Sequence, residues 1–132
     1  MAEIILKMSI MEGSFGICRF EPDIPIPEWV FKGSFVSVTK TFDELSVVCP
    51  LGFIPDGVMC EKDWKALKAE GPLEFSLTGI LASISTILAQ SGISIFAVST
   101  YDTDYVFVKE KDLGGAVEAL KKGSFEIAHK KG

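Results

Sequence analysis

The segment from Phe75 to Tyr101 contains no charged residue, and this feature limits most strongly what the chain can fold into. Serines and threonines interrupt the segment, as do Gly79 and Gly92. A helix that crosses a bilayer needs about 20 predominantly apolar residues, so this segment is not a transmembrane helix. We expect protein, rather than water, to cover it on more than one side.

Two amphipathic helices are predicted in the second half of the chain. The first spans 77–90, where apolar residues form one continuous stripe: Leu77, Ile80, Leu81, Ile84, Ile87 and Leu88. Ser76 precedes this helix as its N-cap, and Gly92 follows it as a stop signal. The second helix spans 113–122, with an aspartate cap before it and a glycine after its end.

Strands are predicted around the two helices, and the order of the elements indicates the fold. Trp64–Glu70 alternates apolar and polar residues, and the Gly71-Pro72 break after it favours a strand over a helix. Further strands are predicted at 93–99, 105–108 and 125–128. The resulting order, strand-helix-strand-strand-helix-strand, is typical of a ferredoxin-like fold.

The first half of the chain is predicted to repeat part of the second half. It is rich in strands, which are predicted at 4–11, 15–20, 35–41 and 45–49, and its proline-rich loop holds one short helical turn at 28–31. Segments 39–48 and 99–108 align as two strand-turn-strand units, with Glu44 placed on Asp104.

We therefore predict an α+β fold of two ferredoxin-like halves packed side by side, with antiparallel sheets and helices on one face. The predicted domains are residues 1–62, whose first helix is degenerate, and residues 63–132. Each half alone is marginal as an independent core, so we expect the halves to share sheet edges or helix faces.

The charge balance and the histidine content exclude several functions. Lysine and arginine contribute 13 residues against 18 aspartates and glutamates, which gives a net charge of −5, and Arg19 is the only arginine. Such a chain lacks the cationic surface that nucleic acids require, so no nucleic acid is expected as a partner. Because the uncharged segment is not a transmembrane helix, no membrane is expected either. His129 is the only histidine, and no metal or other cofactor is expected.

The three cysteines, Cys18, Cys49 and Cys60, each lie in an apolar run and form no C-x-x-C motif. We expect them to be buried free thiols, because unpaired cysteine behaves as a small hydrophobic residue. Free thiols, together with the absence of a signal peptide after Met1, indicate a cytoplasmic location.

The start of the first helix is one candidate binding site. The first backbone N–H groups of a helix have no intrahelical partner and attract anions. No acidic residue occupies this first turn, and Gly79 would allow a ligand to approach the backbone closely. This pattern suits a small carboxylate, and the alternative is an ordinary serine-capped helix in which Gly79 relieves packing against the sheet.

The turn Thr100-Tyr101-Asp102-Thr103-Asp104 is the second candidate. Acidic residues beside an aromatic ring bind ammonium or guanidinium groups through charge and cation–π contacts. The alternative is a solvated turn, since aspartate and threonine are common turn residues. Taken together, donors for a carboxylate and acceptors for a cation match the outline of a free amino acid.

The sequence from Gly71 to Val108 resembles an ACT domain, a small-molecule regulatory module. The resemblance rests on the glycine-containing loop that opens a helix at 78–81, on the G-I-S-I run at 92–95 and on the S-T-x-x-x-D pattern at 99–104. The last pattern is similar to the branch of short two-ACT proteins related to the CASTOR arginine sensors. The segment 35–49 also resembles the first ACT-like half of that branch. Many ACT loops have Pro-Gly where this chain has Thr78-Gly79.

The resemblance implies regulatory amino-acid binding at an interface between ACT units, within one chain or between two. By position, it implies loop contacts from one set of residues and hairpin contacts from another: Ser76, Leu77, Gly79 and Ile80 in the loop, and Thr100, Tyr101 and Asp104 in the hairpin. Asp104 is the candidate for a cationic group of the ligand. The resemblance also implies a homodimer.

Three functions follow from these observations. The leading hypothesis is a non-catalytic sensor that binds an amino acid, and the alternative is a structural dimerisation module without a ligand. An enzyme is the least supported, because the acidic pairs 43–44 and 102–104 lack a nucleophile–base arrangement. The chain also lacks a glycine-rich phosphate loop, so any likeness to aspartate kinases would reflect their ACT regulatory domains alone.

Overall fold

The structure is a computed structural model that describes residues 6–70 and 79–129. These residues form eight strands: β1 (Leu6–Ile10), β2 (Phe15–Phe20), β3 (Ser37–Lys40), β4 (Leu45–Pro50), β5 (Cys60–Ala69), β6 (Ile95–Ser99), β7 (Asp104–Lys109) and β8 (Phe125–His129). The α-helices among them are α1 (Ile80–Gln90) and α2 (Leu113–Lys122), and short 3-10 helices lie at Glu28–Phe31, Leu51–Phe53 and Glu110–Asp112. The predicted α+β class is confirmed.

Internal contacts divide the chain into two units. The inserted unit is Gly13–Trp64, and the discontinuous unit comprises the described residues before and after it, 6–12 and 65–129. The predicted division of the chain at residues 62 and 63 stays a prediction. In the structure, β1 groups with the C-terminal elements, because it pairs with β5 and β8.

The discontinuous unit confirms the predicted ferredoxin-like order, which runs β5, α1, β6, β7, α2, β8. β7 pairs with both β5 and β6. β1 is an additional strand, antiparallel to β5 with Met8 opposite Ala69, and parallel to β8 with Leu6 opposite Phe125. The order of strands in this unit is therefore β8-β1-β5-β7-β6.

The predicted apolar stripe of α1 forms the core of the discontinuous unit. Ile84 and Leu88 are fully buried, and they cluster with α2 residues such as Leu120 and with strand residues such as Leu67 and Val106. Burying these side chains supplies most of the stabilisation of a helix of this length, since short helices are marginal in water.

The predicted start of α1 is wrong. The helix begins at Ile80 rather than at Leu77, and Gly79 rather than Ser76 is its N-cap residue. Gly79 has φ +83°, a left-handed conformation that an α-helix of L-residues does not continue through. Ser76 and Leu77 themselves lie outside the described residues.

The described chain covers residues 79–101 of the charge-free segment on one side only. Ala82, Ser83, Thr86 and Ala89 of α1 are exposed, as is Ala97 of β6. The expected protein cover on a second side is therefore not supplied within this unit. Among the helices of the described ranges, none has the length and apolar character needed to cross a bilayer.

The inserted unit contains strands and 3-10 helices but no α-helix between Gly13 and Trp64. β2 lies between β4 and β5, and β3 pairs with the other side of β4. The helical turn predicted at 28–31 is confirmed, and its buried Val30 packs against Leu45 and Val47. This 3-10 turn stands where a complete ferredoxin-like half would have its first helix.

The cysteines lie in the core of the inserted unit. Cys18 and Cys49 are 0% exposed, as expected, whereas Cys60 is half-buried, and all three are free thiols. Burial, together with the neighbouring Cys60, raises the pKa of Cys18 to about 12. Burial also raises the pKa of Cys49, to about 11, again with a smaller contribution from Cys60.

These pKa values predict that the protein loses stability in alkaline solution. A thiol of the unfolded chain ionises above its ordinary pKa of 9.0, whereas the buried thiols stay protonated until about pH 11 to 12. The unfolded state therefore releases protons first as the pH rises, and the free energy of unfolding should fall by about 1 kcal/mol per buried thiol at pH 10.

Urea unfolding at pH 7 and pH 10 measures this loss. The double variant Cys18→Ala/Cys49→Ala is the control, and its unfolding free energy should fall less between the two pH values than that of the wild type. Equal falls in both proteins would contradict the assignment of the buried thiols.

Candidate functional site

The predicted hairpin site is formed by β6, β7 and the four-residue turn between them. The strands pair from Ile95 opposite Val108 to Ser99 opposite Asp104. In the turn, the Thr100 backbone N–H donates to the Thr103 carbonyl at 2.8 Å, and the Thr103 N–H donates to Thr100 Oγ1 at 3.2 Å. Thr100 thus uses its hydroxyl to close the turn, while Tyr101 at the tip is 86% exposed.

The half-buried Asp104 is held in a defined orientation at the start of β7. Ser99 Oγ donates to Asp104 Oδ1 at 2.5 Å, and the two residues are opposite each other in the strand register. An ionised carboxylate has two oxygens and accepts several hydrogen bonds, so one bond from a serine leaves acceptor capacity for a cation. Ser99 therefore orients the carboxylate, and the carboxylate keeps the capacity to accept further hydrogen bonds.

Thr103 anchors this hairpin to the end of β5. It is one of two buried polar residues in the described part of the chain, and its hydroxyl donates to the carbonyl of Ala69. Ala69 is the last residue of β5, and the chain continues from there towards α1. The hydrogen bond therefore places the hairpin turn beside the end of β5.

The start of α1 presents backbone groups rather than side chains. The Gly79 carbonyl accepts the Ser83 N–H at 2.7 Å, which closes the first helical turn. The Ile80 side chain is buried in the core, so its N–H is the group that it could offer to a ligand. Residues 80–83 include no acidic side chain, and no described side chain forms a capping hydrogen bond at the N-terminus of α1.

The structure brings Thr100, Tyr101 and Asp104 together in one hairpin. Gly79 and Ile80 lie in the same discontinuous unit as this hairpin. Ser76 and Leu77, the other two predicted contacts, lie outside the described residues. The described contacts join Thr103 to the end of β5 but do not join Gly79 to Asp104. The predicted spacing between the helix start and Asp104 therefore stays a prediction.

The predicted repeat is present in the structure, but the predicted alignment is wrong by one residue. The hairpin of the inserted unit ends its pairing with Lys40 opposite Leu45, as Ser99 and Asp104 do in the other hairpin. In both turns a threonine begins the loop, and its N–H donates to the carbonyl of the fourth loop residue, Glu44 or Thr103. Leu45, rather than Glu44, is therefore equivalent to Asp104.

Two residues of the hairpin, Ser99 and Thr103, lie within the patterns that the sequence analysis named but were not predicted to have a role in the site. The pairing of Ser99 with Asp104 could be derived from the sequence, because the residues on either side of a four-residue hairpin loop are opposite each other. Thr103 carries no comparable signal, since a buried threonine and a solvated turn threonine look alike in sequence.

A cavity of about 570 Å³ lies in another part of the discontinuous unit. Its lining combines charged residues of β1, β8 and α2 (Lys7, Glu126 and Lys121) with apolar residues of the same strands (Met8, Phe125, Ile127 and Ala128). The Lys7 ammonium is 3.9 Å from the Glu126 carboxylate, and the Ser9 hydroxyl donates to the carboxylate of Glu70 at the cavity wall. None of the five predicted site residues that the structure describes lines this cavity.

Comparison with protein families identifies two matching segments. The family model described as ACT domain matches residues 59–122, and a second model, described as an N-terminal domain, matches residues 13–57. The second match falls within the inserted unit, and most of the first falls within the discontinuous unit.

Among solved structures, protein Atu0741 from Agrobacterium tumefaciens is similar over nearly its whole length. The identity is 37%, the match covers 98% of this chain and 97% of that one, and the TM-score is 0.92. The regulatory subunit of aspartate kinase from Thermus thermophilus shares the fold at 14% identity, with a TM-score of 0.60 over 83% of this chain and 92% of that one.

Among curated proteins, the human cytosolic arginine sensor for mTORC1 subunit 1 is 35% identical over 60 residues. The matched region is 45% of this chain but only 18% of the human protein. This chain therefore corresponds to a small part of the curated relatives that it matches.

The left-handed turn at Gly79 generates a prediction about stability. A Cβ at Gly79 would meet open space, as would a Cβ at Gly114 in α2, but only Gly79 has a positive φ. Gly79→Ala should destabilise the protein by about 1–2 kcal/mol because an L-residue is strained there. Gly114→Ala is the matched control and should stabilise the protein, by up to about 1 kcal/mol. Denaturant unfolding of both variants measures the two effects, and a neutral or stabilising Gly79→Ala would show that the turn is not left-handed.

Proposed function

This chain is an ACT-domain protein of the same family as Atu0741, and from that premise we propose that it binds a free amino acid as a regulatory ligand and catalyses no reaction itself. The observation that carries the proposal is Asp104, a carboxylate oriented by Ser99 on a hairpin that is fixed to the end of β5. The proposed site comprises Ser76, Leu77, Gly79 and Ile80 on one side and Thr100, Tyr101 and Asp104 on the other.

The helix start is proposed to bind the carboxylate of the amino acid. The first N–H groups of α1 are unpaired within the helix, and they lie at the positive end of its dipole. The left-handed Gly79 leaves open space where other residues carry a Cβ. A carboxylate is therefore expected to accept hydrogen bonds from backbone N–H groups at Gly79 and Ile80.

The hairpin is proposed to bind a cationic group of the ligand. Asp104 supplies the negative charge, and the exposed ring of Tyr101 offers a face for a cation–π contact. An ammonium or guanidinium group paired with an oriented carboxylate forms the stronger, charge-assisted class of hydrogen bond. The name of the curated human relative, an arginine sensor, makes arginine the first ligand to test.

The repeat supports one site per chain rather than two. The inserted unit has the same turn geometry, but the residue equivalent to Asp104 is Leu45, which is buried. An apolar side chain cannot pair with a ligand cation. We therefore place the binding function in the discontinuous unit and assign no ligand to the hairpin of the inserted unit.

A structural dimerisation module is the second candidate, and the exposed charge-free surface favours it. Among the described strands, β6 pairs only with β7, and neither β6 nor the helix α1 carries a charged residue. Charged residues on an edge strand normally oppose pairing with another chain, so their absence permits association. We propose that β6 and α1 mediate a homodimer, and a cytoplasmic location agrees with the name of the cytosolic relative.

Amino-acid binding is predicted to raise the thermal stability of the protein. A ligand at 100 times its dissociation constant adds about 2.7 kcal/mol to the free energy of unfolding. We expect one or a few of the twenty amino acids to raise the melting temperature, and we expect Asp104→Asn to abolish that rise. Differential scanning fluorimetry across the twenty amino acids measures it.

The matched control is Asp102→Asn, which removes an exposed carboxylate from the same turn and should leave the ligand-induced rise intact. For a cationic amino acid, the decarboxylated analogue (agmatine in the case of arginine) should stabilise less than the amino acid itself, because it cannot bind the helix start. The sensor function would be contradicted, and the structural function favoured, if no amino acid raised the melting temperature. This result counts only if the unliganded variants fold normally.

Dimerisation through β6 is predicted to be sensitive to charge at the strand edge. Ala97→Lys places an ammonium group on an exposed position of β6 and should convert dimers to monomers. Glu118→Lys, on an exposed position of α2, is the control and should leave the dimer intact. Sedimentation velocity measures both, and a wild-type monomer at all concentrations would contradict the proposed assembly.

A further inference from the structure

The inserted unit contains three free cysteines, none of which belongs to the proposed amino-acid site. We propose that Cys18 and Cys60 form a reversible disulfide, and that the half-buried Cys60 is the position at which a low-molecular-weight disulfide oxidises the protein. The inference rests on the strand register around three neighbouring thiols.

Cys18 on β2 and Cys60 on β5 are directly opposite each other in an antiparallel pair. The next pair along, Arg19 and Met59, is joined by a hydrogen bond from the Arg19 N–H to the Met59 carbonyl at 3.0 Å. Hydrogen-bonded and non-hydrogen-bonded pairs alternate along an antiparallel ladder, so Cys18 and Cys60 form a non-hydrogen-bonded pair. Such pairs have Cα atoms about 4.5 Å apart, within the range of about 4.4–6.8 Å that disulfides span.

The two thiols already interact in the reduced protein. Cys60 lies near enough to the Cys18 thiol to contribute to its raised pKa, and the Cys60 thiol donates to the Glu61 carbonyl at 3.6 Å. Gly16 leaves room for the Cys60 sulfur, since a Cβ at Gly16 would be 2.6 Å from Cys60 Sγ. The sulfur of Cys60 therefore lies over β2, the strand that carries Cys18.

The register excludes Cys49 as the bridging partner. Cys49 on β4 is opposite Gly16, whereas Cys18 is opposite Val47, so Cys18 and Cys49 are diagonal neighbours. Diagonal neighbours across a ladder are about 7–8 Å apart at Cα, which is beyond the disulfide range. β2 separates β4 from β5, so Cys49 and Cys60 are two strand spacings apart, roughly 9.6 Å.

A metal site is the other chemistry that three thiols suggest. Within the described residues, however, no group of three cysteine, histidine, aspartate or glutamate side chains is arranged to hold a metal ion. Two-electron oxidation of one thiol pair is therefore the reaction that the arrangement favours.

Oxidation of Cys18 and Cys60 by oxidised glutathione is a thiol–disulfide exchange that balances in atoms and electrons. The Cys60 thiolate attacks one sulfur of the glutathione disulfide, the S–S bond breaks, and one glutathione leaves as a thiolate that takes up a proton. Cys18 then loses its proton and attacks the Cys60 sulfur, and the second glutathione leaves. The protein gives up two electrons and two protons, and one glutathione disulfide becomes two glutathione thiols.

The buried Cys18 controls the rate of the second step. Its raised pKa keeps it protonated at neutral pH, and the thiolate is the attacking species. The mixed disulfide on Cys60 should therefore form first and then convert to the Cys18–Cys60 bond, with a conversion rate that rises with pH.

Peptide mapping of the wild-type protein tests the proposal. The folded protein is incubated with oxidised glutathione, free thiols are alkylated, and the protein is digested with trypsin and Asp-N under non-reducing conditions. These cleavages separate the three cysteines into peptides 8–19, 43–55 and 56–62. The expected product is peptide 8–19 linked to peptide 56–62, with peptide 43–55 alkylated at Cys49.

Three single variants identify the steps. Cys18→Ser should stop at the Cys60–glutathione mixed disulfide, Cys60→Ser should leave both remaining thiols reduced, and Cys49→Ser should form the Cys18–Cys60 link as the wild type does. A link that includes Cys49, stable glutathione on Cys60 of the wild type, or complete alkylation of all three thiols would overturn the proposal. The wild-type map distinguishes these outcomes even where a variant does not fold.

Discussion

The hydrogen bond from the Thr103 hydroxyl to the Ala69 carbonyl is the interaction on which the proposed site depends. Both groups are at a buried position, where an unpaired hydroxyl or carbonyl costs about 1–3 kcal/mol. The bond therefore fixes the turn of the β6–β7 hairpin to the last residue of β5. Asp104 follows Thr103 directly, so this buried contact positions the acidic part of the proposed site relative to β5.

A comparison of the two hairpins distinguishes the residues that form the turn from the acidic residue that is proposed to bind the ligand. Each turn begins with a threonine whose backbone N–H and hydroxyl close the loop, and each carries an exposed aromatic residue next, Phe42 or Tyr101. The residue that begins the returning strand differs, a buried Leu45 in one hairpin and an oriented Asp104 in the other. Turn geometry is therefore common to both units, whereas the acidic group belongs to one of them.

The spacing of apolar residues along the sequence was sufficient to predict much of the fold. The stripe on α1, the complete α2 and the strand at β5 follow from side-chain spacing, because a buried helix face or strand face imposes its period on the sequence. The start of α1 could not be derived in this way, since it depends on the left-handed φ of Gly79, and serine before an apolar run resembles an ordinary cap. The addition of β1 to the sheet depends on pairing with β8, at the other end of the chain, which no local pattern encodes. The clustering of the cysteines depends on strand register for the same reason.

A crystal structure with a bound amino acid tests the central claim most directly. The ligand should be the amino acid that raises the melting temperature most. The account predicts its carboxylate within about 3.2 Å of backbone N–H groups at the start of α1, and its cationic group paired with the Asp104 carboxylate. An amino acid bound instead in the cavity beside Lys7 and Glu126, or bound with Asp104 facing solvent, would contradict it.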